Sequence, residues 1–274
     1  MLEGAKSLKS AIDEGICPEA IYVDKEHTLD SNDSKTIERG LELGCGVFYL
    51  ASGVIERVSD TVTPQSIISI FKFLDVELGD LFAAMPTPSE IPRHSDSGGG
   101  TPPVVICIDV RDPGNAGTII RSSAGAGASG VVFCEGCVDP YNPKTTRSSA
   151  GSIFQIPLVR GCDPENVLDL LRSKGYQTVG TSSHTGTNYT QVDLRKPSAL
   201  FFGNESIGLP DSYASKLDCP VTIPLDNRVE SLNVAIASSI VLFEAKRQRD
   251  QAELHLGSIE SQAVSPEVPQ VVGK

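Results

Sequence analysis

Three short polar segments carry the side chains best suited to chemistry, and each directly follows an apolar run. The first is Asp109-Val110-Arg111-Asp112-Pro113-Gly114-Asn115-Ala116-Gly117-Thr118-Ile119-Ile120-Arg121. Pro113-Gly114 predicts a turn, and Asn115 has the side chain of a helix N-cap. Arg121 follows on a helix of Ala, Gly, Ile and Ser, where a lone guanidinium stands out; its ordinary reading is snorkelling or ion pairing. The second segment, Leu200-Phe201-Phe202-Gly203-Asn204-Glu205-Ser206-Ile207-Gly208-Leu209, runs from an apolar strand through glycine to a carboxylate. Gly203 permits close approach to the backbone, and Glu205 is expected in a loop or at a helix start, where a carboxylate would be stabilised. The third, Ile223-Pro224-Leu225-Asp226-Asn227-Arg228-Val229-Glu230-Ser231-Leu232-Asn233-Val234-Ala235, offers Ser231 as N-cap of a long helix. Asn233 then falls just inside that helix, where Asn is unfavourable and needs a further reason. A guanidinium keeps its proton near neutrality, so Arg121 can clamp an anion or stabilise developing negative charge but cannot serve as a base.

Other signals carry less. Gly125-Ala126-Gly127-Ala128-Ser129-Gly130 matches G-x-G-x-x-G, yet it follows a helix and precedes a strand. A dinucleotide site needs the reverse order, so the glycines read as a helix C-cap. Cys134-Glu135-Gly136-Cys137 lacks the second pair that structural zinc requires. His27, His94, His184 and His255 have no ligand spacing, and no P-loop occurs. No metal is expected.

The elements that must position the three segments are legible as periodicity. Val104–Ile108 is the apolar run of a buried parallel strand. Helices are expected over about 116–126, around 167–171 and over 232–249. Strands are expected at 131–133, 177–181, 199–202 and 221–223. This alternation predicts an α/β fold with a mostly parallel sheet covered on both faces, and ligands then sit at the carboxyl ends of the strands. Thr181 ends one such strand. Residues 1–85 alternate more weakly and predict a small α/β domain whose first strand is missing, or whose chain starts late. Residues 86–103 are rich in Pro, Gly and Ser and read as a linker. Residues 104–250 form the second domain, and 251–274 read as a disordered tail.

In order and spacing, the three segments resemble the three motifs of the SpoU (TrmH-like) branch of the SPOUT RNA methyltransferases. The matching stretches are D-P-G-N-x-G-T-I-I-R, F-F-G-N-E-x-x-G-L and I-P-L…E-S-L-N-V-A-x-A, together with Arg147-Ser148-Ser149-Ala150-Gly151. The resemblance is strong over 104–250 and weaker over residues 3–73, where it implies an RNA substrate-binding domain. It implies a C-terminal trefoil knot, a rare exception that composition cannot reveal. It also implies S-adenosyl-L-methionine as cofactor, a homodimer through the knot and last helix, and methyl transfer to a ribose 2′-OH. The RNA is expected to be rRNA rather than tRNA; a tRNA enzyme and a non-catalytic RNA-binding relative are the alternatives. By position, Asn115, Arg121, Glu205, Ser231 and Asn233 would be catalytic, with Glu205 holding Arg121 or Asn115. Thr181, Gly203, Ile223 and Leu232 would contact the cofactor.

Composition narrows the setting. No stretch is apolar enough for a membrane span, the first residues lack a signal-peptide pattern, and the seven cysteines read as cytoplasmic thiols. The chain is acidic, at −12 overall. Residues 1–103 hold 8 basic and 17 acidic side chains, while 104–250 hold 14 and 15. RNA binding must then use local patches such as Arg111, Lys144, Arg147 and Arg160 rather than a global field. Aromatic residues are 5% and Trp is absent, which argues against a broad stacking surface.

Overall fold

The structure is a computed structural model. It describes residues 1–26, 29–59, 64–85, 100–182 and 185–263, with side chains in the last helix to residue 252. His27, His94, His184, the linker core at 86–99 and residues 264–274 lie outside the described residues, as does the His255 side chain.

The N-terminal elements are β1 (Leu2–Glu3), α1 (Ala5–Asp13), β2 (Ala20–Asp24), α2 (Ser31–Glu42), β3 (Gly46–Leu50), α3 (Ile55–Val58), β4 (Ile67–Ile70) and α4 (Leu78–Ala83). Their strands form a sheet of order β1-β4-β2-β3, with β2 and β3 parallel and the rest antiparallel. Leu8, Ala11 and Ile12 recur at helical spacing on α1 and are buried. The first strand, expected to be missing, is present as two-residue β1 paired to β4. Cys17 and Cys45 are joined in a disulfide with Cα atoms 6.1 Å apart, which corrects the reading of all seven cysteines as thiols. Pairing of β2 with β3, Ala20 opposite Gly46, brings these two positions together, and spacing along the chain could not reveal that.

The second set comprises β5 (Val104–Cys107), α5 (Pro113–Gly125), β6 (Gly130–Cys134), α6 (Pro143–Ser148), β7 (Leu158–Cys162), α7 (Pro164–Ser173), β8 (Gln177–Thr181), β9 (Thr187–Asn188), β10 (Ser198–Phe202), α8 (Asp211–Ala214), β11 (Cys219–Thr222) and α9 (Val234–Ala263). The sheet order is β7-β6-β5-β10-β8-β11-β9, and every pairing in it is parallel. Strand residues alternate between two cores. Val105, Cys107, Val131, Phe133 and Phe202 pack with Ile119, Ile120 and Leu242 of α5 and α9. Val104, Ile106, Val132 and Phe201 pack with Phe82, Leu168 and Leu171 of α4 and α7. Burial on both faces is why these strands read as continuous apolar runs.

The last helix does not stop near Arg249. It continues to Ala263, so residues 251–263, expected as tail, are helical. Gln251 to Ala263 is mostly Ala, Glu, Leu, Gln and Ser, and the first proline comes at position 266; with no proline to stop it, the helix propagates through Gly257. Arg249 therefore lies mid-helix. Its guanidinium donates to the Ala126 carbonyl at 2.7 Å and satisfies the end of α5 rather than of its own helix. The Gly125–Gly130 run is the expected C-cap: Gly127 has φ +67° and the Ala128 amide bonds Ser123 O at 2.9 Å.

Candidate active site

The start of α5 decides what Asn115 can do. Asp112, not Asn115, is the N-cap: its carboxylate accepts from the Asn115 amide at 2.9 Å, and Pro113 takes the first helical position. That bond holds the Asp112 carboxyl below its ordinary range, assisted by Lys144 at 3.4 Å. With its backbone so placed, Asn115 has its side chain free. Its Nδ2 donates to Glu205 Oε1 at 3.1 Å, and its Oδ1 accepts from Asn233 Nδ2 at 2.9 Å. Asn233 in turn caps α9, because its Oδ1 accepts from the Ala235 and Ile236 amides at 2.9 and 3.3 Å. This corrects the assignment of the cap to Ser231. It also explains Asn233, which stands just before the helix rather than inside it.

Of the two settings expected for Glu205, loop or helix start, the structure has the loop, a tight turn. Asn204 and Gly208 exchange backbone hydrogen bonds, both 2.9 Å. A Cβ on Gly203 would stand 2.3 Å from the Gly208 carbonyl carbon and oxygen, so only glycine allows the turn to fold back on itself. The Glu205 carboxylate accepts from the amides of Asp112 (3.0 Å) and Arg111 (3.4 Å) as well as from Asn115. Burial pushes this carboxyl up, but these hydrogen bonds outweigh burial and leave it below its ordinary value, so it is an anion near neutrality. Three segments far apart in sequence are thus joined through one chain, Asn233 to Asn115 to Glu205.

Two residues in this network escaped the sequence reading. Asp109, ending β5, has φ +57°, a left-handed conformation that costs a non-glycine residue about 1–2 kcal/mol. Its carboxylate accepts from Arg111 Nε at 2.6 Å and from Asn204 Nδ2 at 3.1 Å, and its carbonyl accepts from the same Asn204 nitrogen at 3.1 Å. Asn204 thus latches the glutamate turn to the first segment. Asn204, flanked by Gly203 and Glu205, was visible as a polar loop residue; nothing in the sequence marks Asp109 as left-handed.

Beside this network is a cavity of about 210 Å³. Thr181, Gly203, Glu205, Ile223, Ser231 and Leu232 line it, so all four expected cofactor contacts share one space. Asn115, Asn233 and Arg121 do not line it. Arg121 is exposed on α5, about 9 Å along the axis from Asn115 at 1.5 Å per residue. Glu205 does not hold it; of the two expected partners, Glu205 holds Asn115.

The surface cations are mostly engaged within the chain. Arg111 pairs with Asp109, Lys144 with Asp112, and Arg160 with Asp75 and Asp139. Arg147, on α6, is exposed and has no ion pair among the described residues. The Cys134-x-x-Cys137 pair reads as core thiols: Cys134 is buried, and burial pushes Cys137 up to about 11, where it stays protonated. No helix among the described residues is long and apolar enough to cross a membrane.

Comparison with known proteins accords with this geometry. Residues 102–243 match the SpoU rRNA Methylase family model. The chain is 33% identical over 215 residues to the 23S rRNA (guanosine(2553)-2′-O)-methyltransferase RlmP of Bacillus subtilis, covering 78% of each protein. The AdoMet-bound rRNA methyltransferase from Sinorhizobium meliloti superposes with TM-score 0.74 at 31% identity, covering 89% of this chain and 85% of that one. The SpoU methyltransferase AviRb from Streptomyces viridochromogenes superposes at 0.76 with 25% identity, covering 91% and 89%. The chain belongs to the SpoU rRNA methylase family.

Proposed function

We propose that this protein transfers the methyl group of S-adenosyl-L-methionine to a ribose 2′-hydroxyl of rRNA. The observation that carries the reading is the hydrogen-bonded chain Asn233–Asn115–Glu205 beside the 210 Å³ cavity. The lining suits the cofactor: Ile223, Leu225 and Leu232 offer apolar contact, Thr181 and Ser231 offer hydroxyls, and Glu205 brings negative charge toward a sulfonium. The rRNA substrate follows the names of two similar proteins, which are 23S rRNA 2′-O-methyltransferases.

When bound, the cofactor supplies an electrophilic methyl group. The residues' task is to hold a poor nucleophile in line with it, and positioning alone supplies several kcal/mol. Asn115, Asn233 and Ser231 orient the ribose. Glu205 fixes Asn115 and the amides that open α5. Arg121 clamps the neighbouring phosphate and stabilises the developing alkoxide; its guanidinium does not accept the proton.

The proposal includes a homodimer. Ile236 and Phe243 on α9 are each 49% exposed and lie seven residues apart, on one face. Phe243 packs against α5 near Arg121, its ring 3.7 Å from where a Gly125 Cβ would stand. A second copy on this face would cover both side chains and enclose Arg121. The trefoil knot belongs to the same reading: β10 lies between β5 and β8, and the segment after β11 lines the same cavity as the glutamate turn. Residues 1–85 would bind RNA, with Arg147 of α6 contributing a phosphate contact. A cytoplasmic location fits five unpaired cysteines, though not the Cys17–Cys45 pair.

The test is to map 2′-O-methyl groups in total RNA with and without the gene, and to assay Arg121→Ala. Loss of one rRNA methyl group, with Arg121→Ala keeping cofactor affinity but losing turnover, is expected. Unchanged methylation in the deletion, or full turnover by Arg121→Ala, refutes the assignment.

A further inference from the structure

A second cavity, of about 250 Å³, opens at the seam between the two sheets. The chain has nine Phe, six Tyr and no Trp, and four of these rings, Phe71, Phe73, Tyr141 and Phe154, line this one space. The volume is just below the usual ~300–1,000 Å³ of small-molecule pockets, which suits one planar ring system.

The rings are held in place. Phe71 and Phe154 pack at 4.9 Å, as do Phe73 and Tyr141. The Arg160 guanidinium lies 4.3 Å from the Phe73 centroid and 5.1 Å from that of Tyr141. Asp75 and Asp139 fix it at 3.3 and 3.6 Å. The Tyr141 hydroxyl accepts from the Leu74 amide at 2.9 Å and ties down the strap that carries Phe73. Phe73 nevertheless remains 65% exposed. An aromatic ring backed by a cation, immobilised from one side and open on the other, is a pre-organised stacking surface.

Its location links it to the active site. The Val138 amide donates to Val110 O at 2.9 Å, which joins the loop after β6 to the first motif segment. Tyr141 stands two residues before α6, whose Lys144 reaches Asp112. We infer that this cavity receives one unstacked nucleobase of the RNA substrate, stacked on Phe73, an inference that rests on the RNA methyltransferase reading above. Asp75 and Asp139 neutralise Arg160, so the seat favours an uncharged π-face over a phosphate.

Because the chain has no Trp, Phe73→Trp places a single tryptophan at the seat, which can be excited apart from the six tyrosines. A single-stranded oligoribonucleotide is expected to quench it, and an abasic strand of equal length is not. Phe73→Ala is expected to raise the KM for RNA about 5- to 150-fold, the range for loss of one base stack. Its kcat, cofactor affinity and thermal midpoint should stay near wild type. Phe73→Trp should restore KM, and Phe73→Leu, apolar but unable to stack, should not. Equal quenching by the abasic strand, rescue by Leu, or an unchanged KM in Phe73→Ala overturns the inference. Wild-type protein that methylates no RNA would instead count against the enzymatic reading, on which the fluorescence measurement does not depend.

Discussion

Asn115 donates from one end of its amide and accepts at the other, so a single side chain sets the spacing between Glu205 and Asn233. Sequence alone made it a cap, and the cap is one turn earlier. That shift matters chemically, because a capping Asn spends its side chain on its own helix, whereas Asn115 spends it on two distant segments. Asn115→Ala is expected to lower kcat by about 100-fold, the scale of a slight misplacement of reacting groups. Cofactor affinity should change little, since Asn115 does not line the cavity. Single-turnover methyl transfer and calorimetry measure the two separately.

At the level of elements, the site is built from strand ends and helix starts. The turn after β10 closes on itself because Gly203 lets the Gly208 backbone lie against it. Gly203→Ala places a Cβ against backbone, which cannot swing aside as a side chain could. The turn must move and shift Glu205 with it. Overpacking costs about 1–3 kcal/mol, so cofactor affinity is expected to fall by about 5- to 150-fold. Titration calorimetry reads this loss, and circular dichroism checks that the sheet is retained. The same logic explains Asp109: two hydrogen bonds from Asn204 and one from Arg111 offset a left-handed backbone that the residue would not adopt alone.

For the whole molecule, the question is how an acidic chain handles RNA. Three of the four patch cations expected from sequence are spent on internal carboxylates, which leaves Arg147 as the exposed one without an ion pair among the described residues. Assembly then matters more, and the α9 face is where it would occur. Phe243→Asp puts a charge on that face. It is expected to yield a monomer in light scattering, with methyl transfer lost and the fold intact. A dimer that persists through Phe243→Asp would move the interface elsewhere.

The sequence by itself determined the parallel sheet and the three motif segments. Strands buried on both faces must be apolar throughout, and the glycines and polar side chains after them leave a local imprint, although Pro113-Gly114 open α5 instead of forming the expected turn. It also named the residues around one cavity, from Thr181 to Leu232. It misplaced both caps, ended α9 too early and missed the Cys17–Cys45 pair. The aromatic seam was invisible, because 5% aromatics is an average and says nothing of clustering. Which amide a side chain satisfies, and which rings meet, depends on neighbours 60 to 120 residues away along the chain, such as Leu74 for Tyr141 and Asn233 for Asn115. Only the packed structure brings those partners within hydrogen-bond reach.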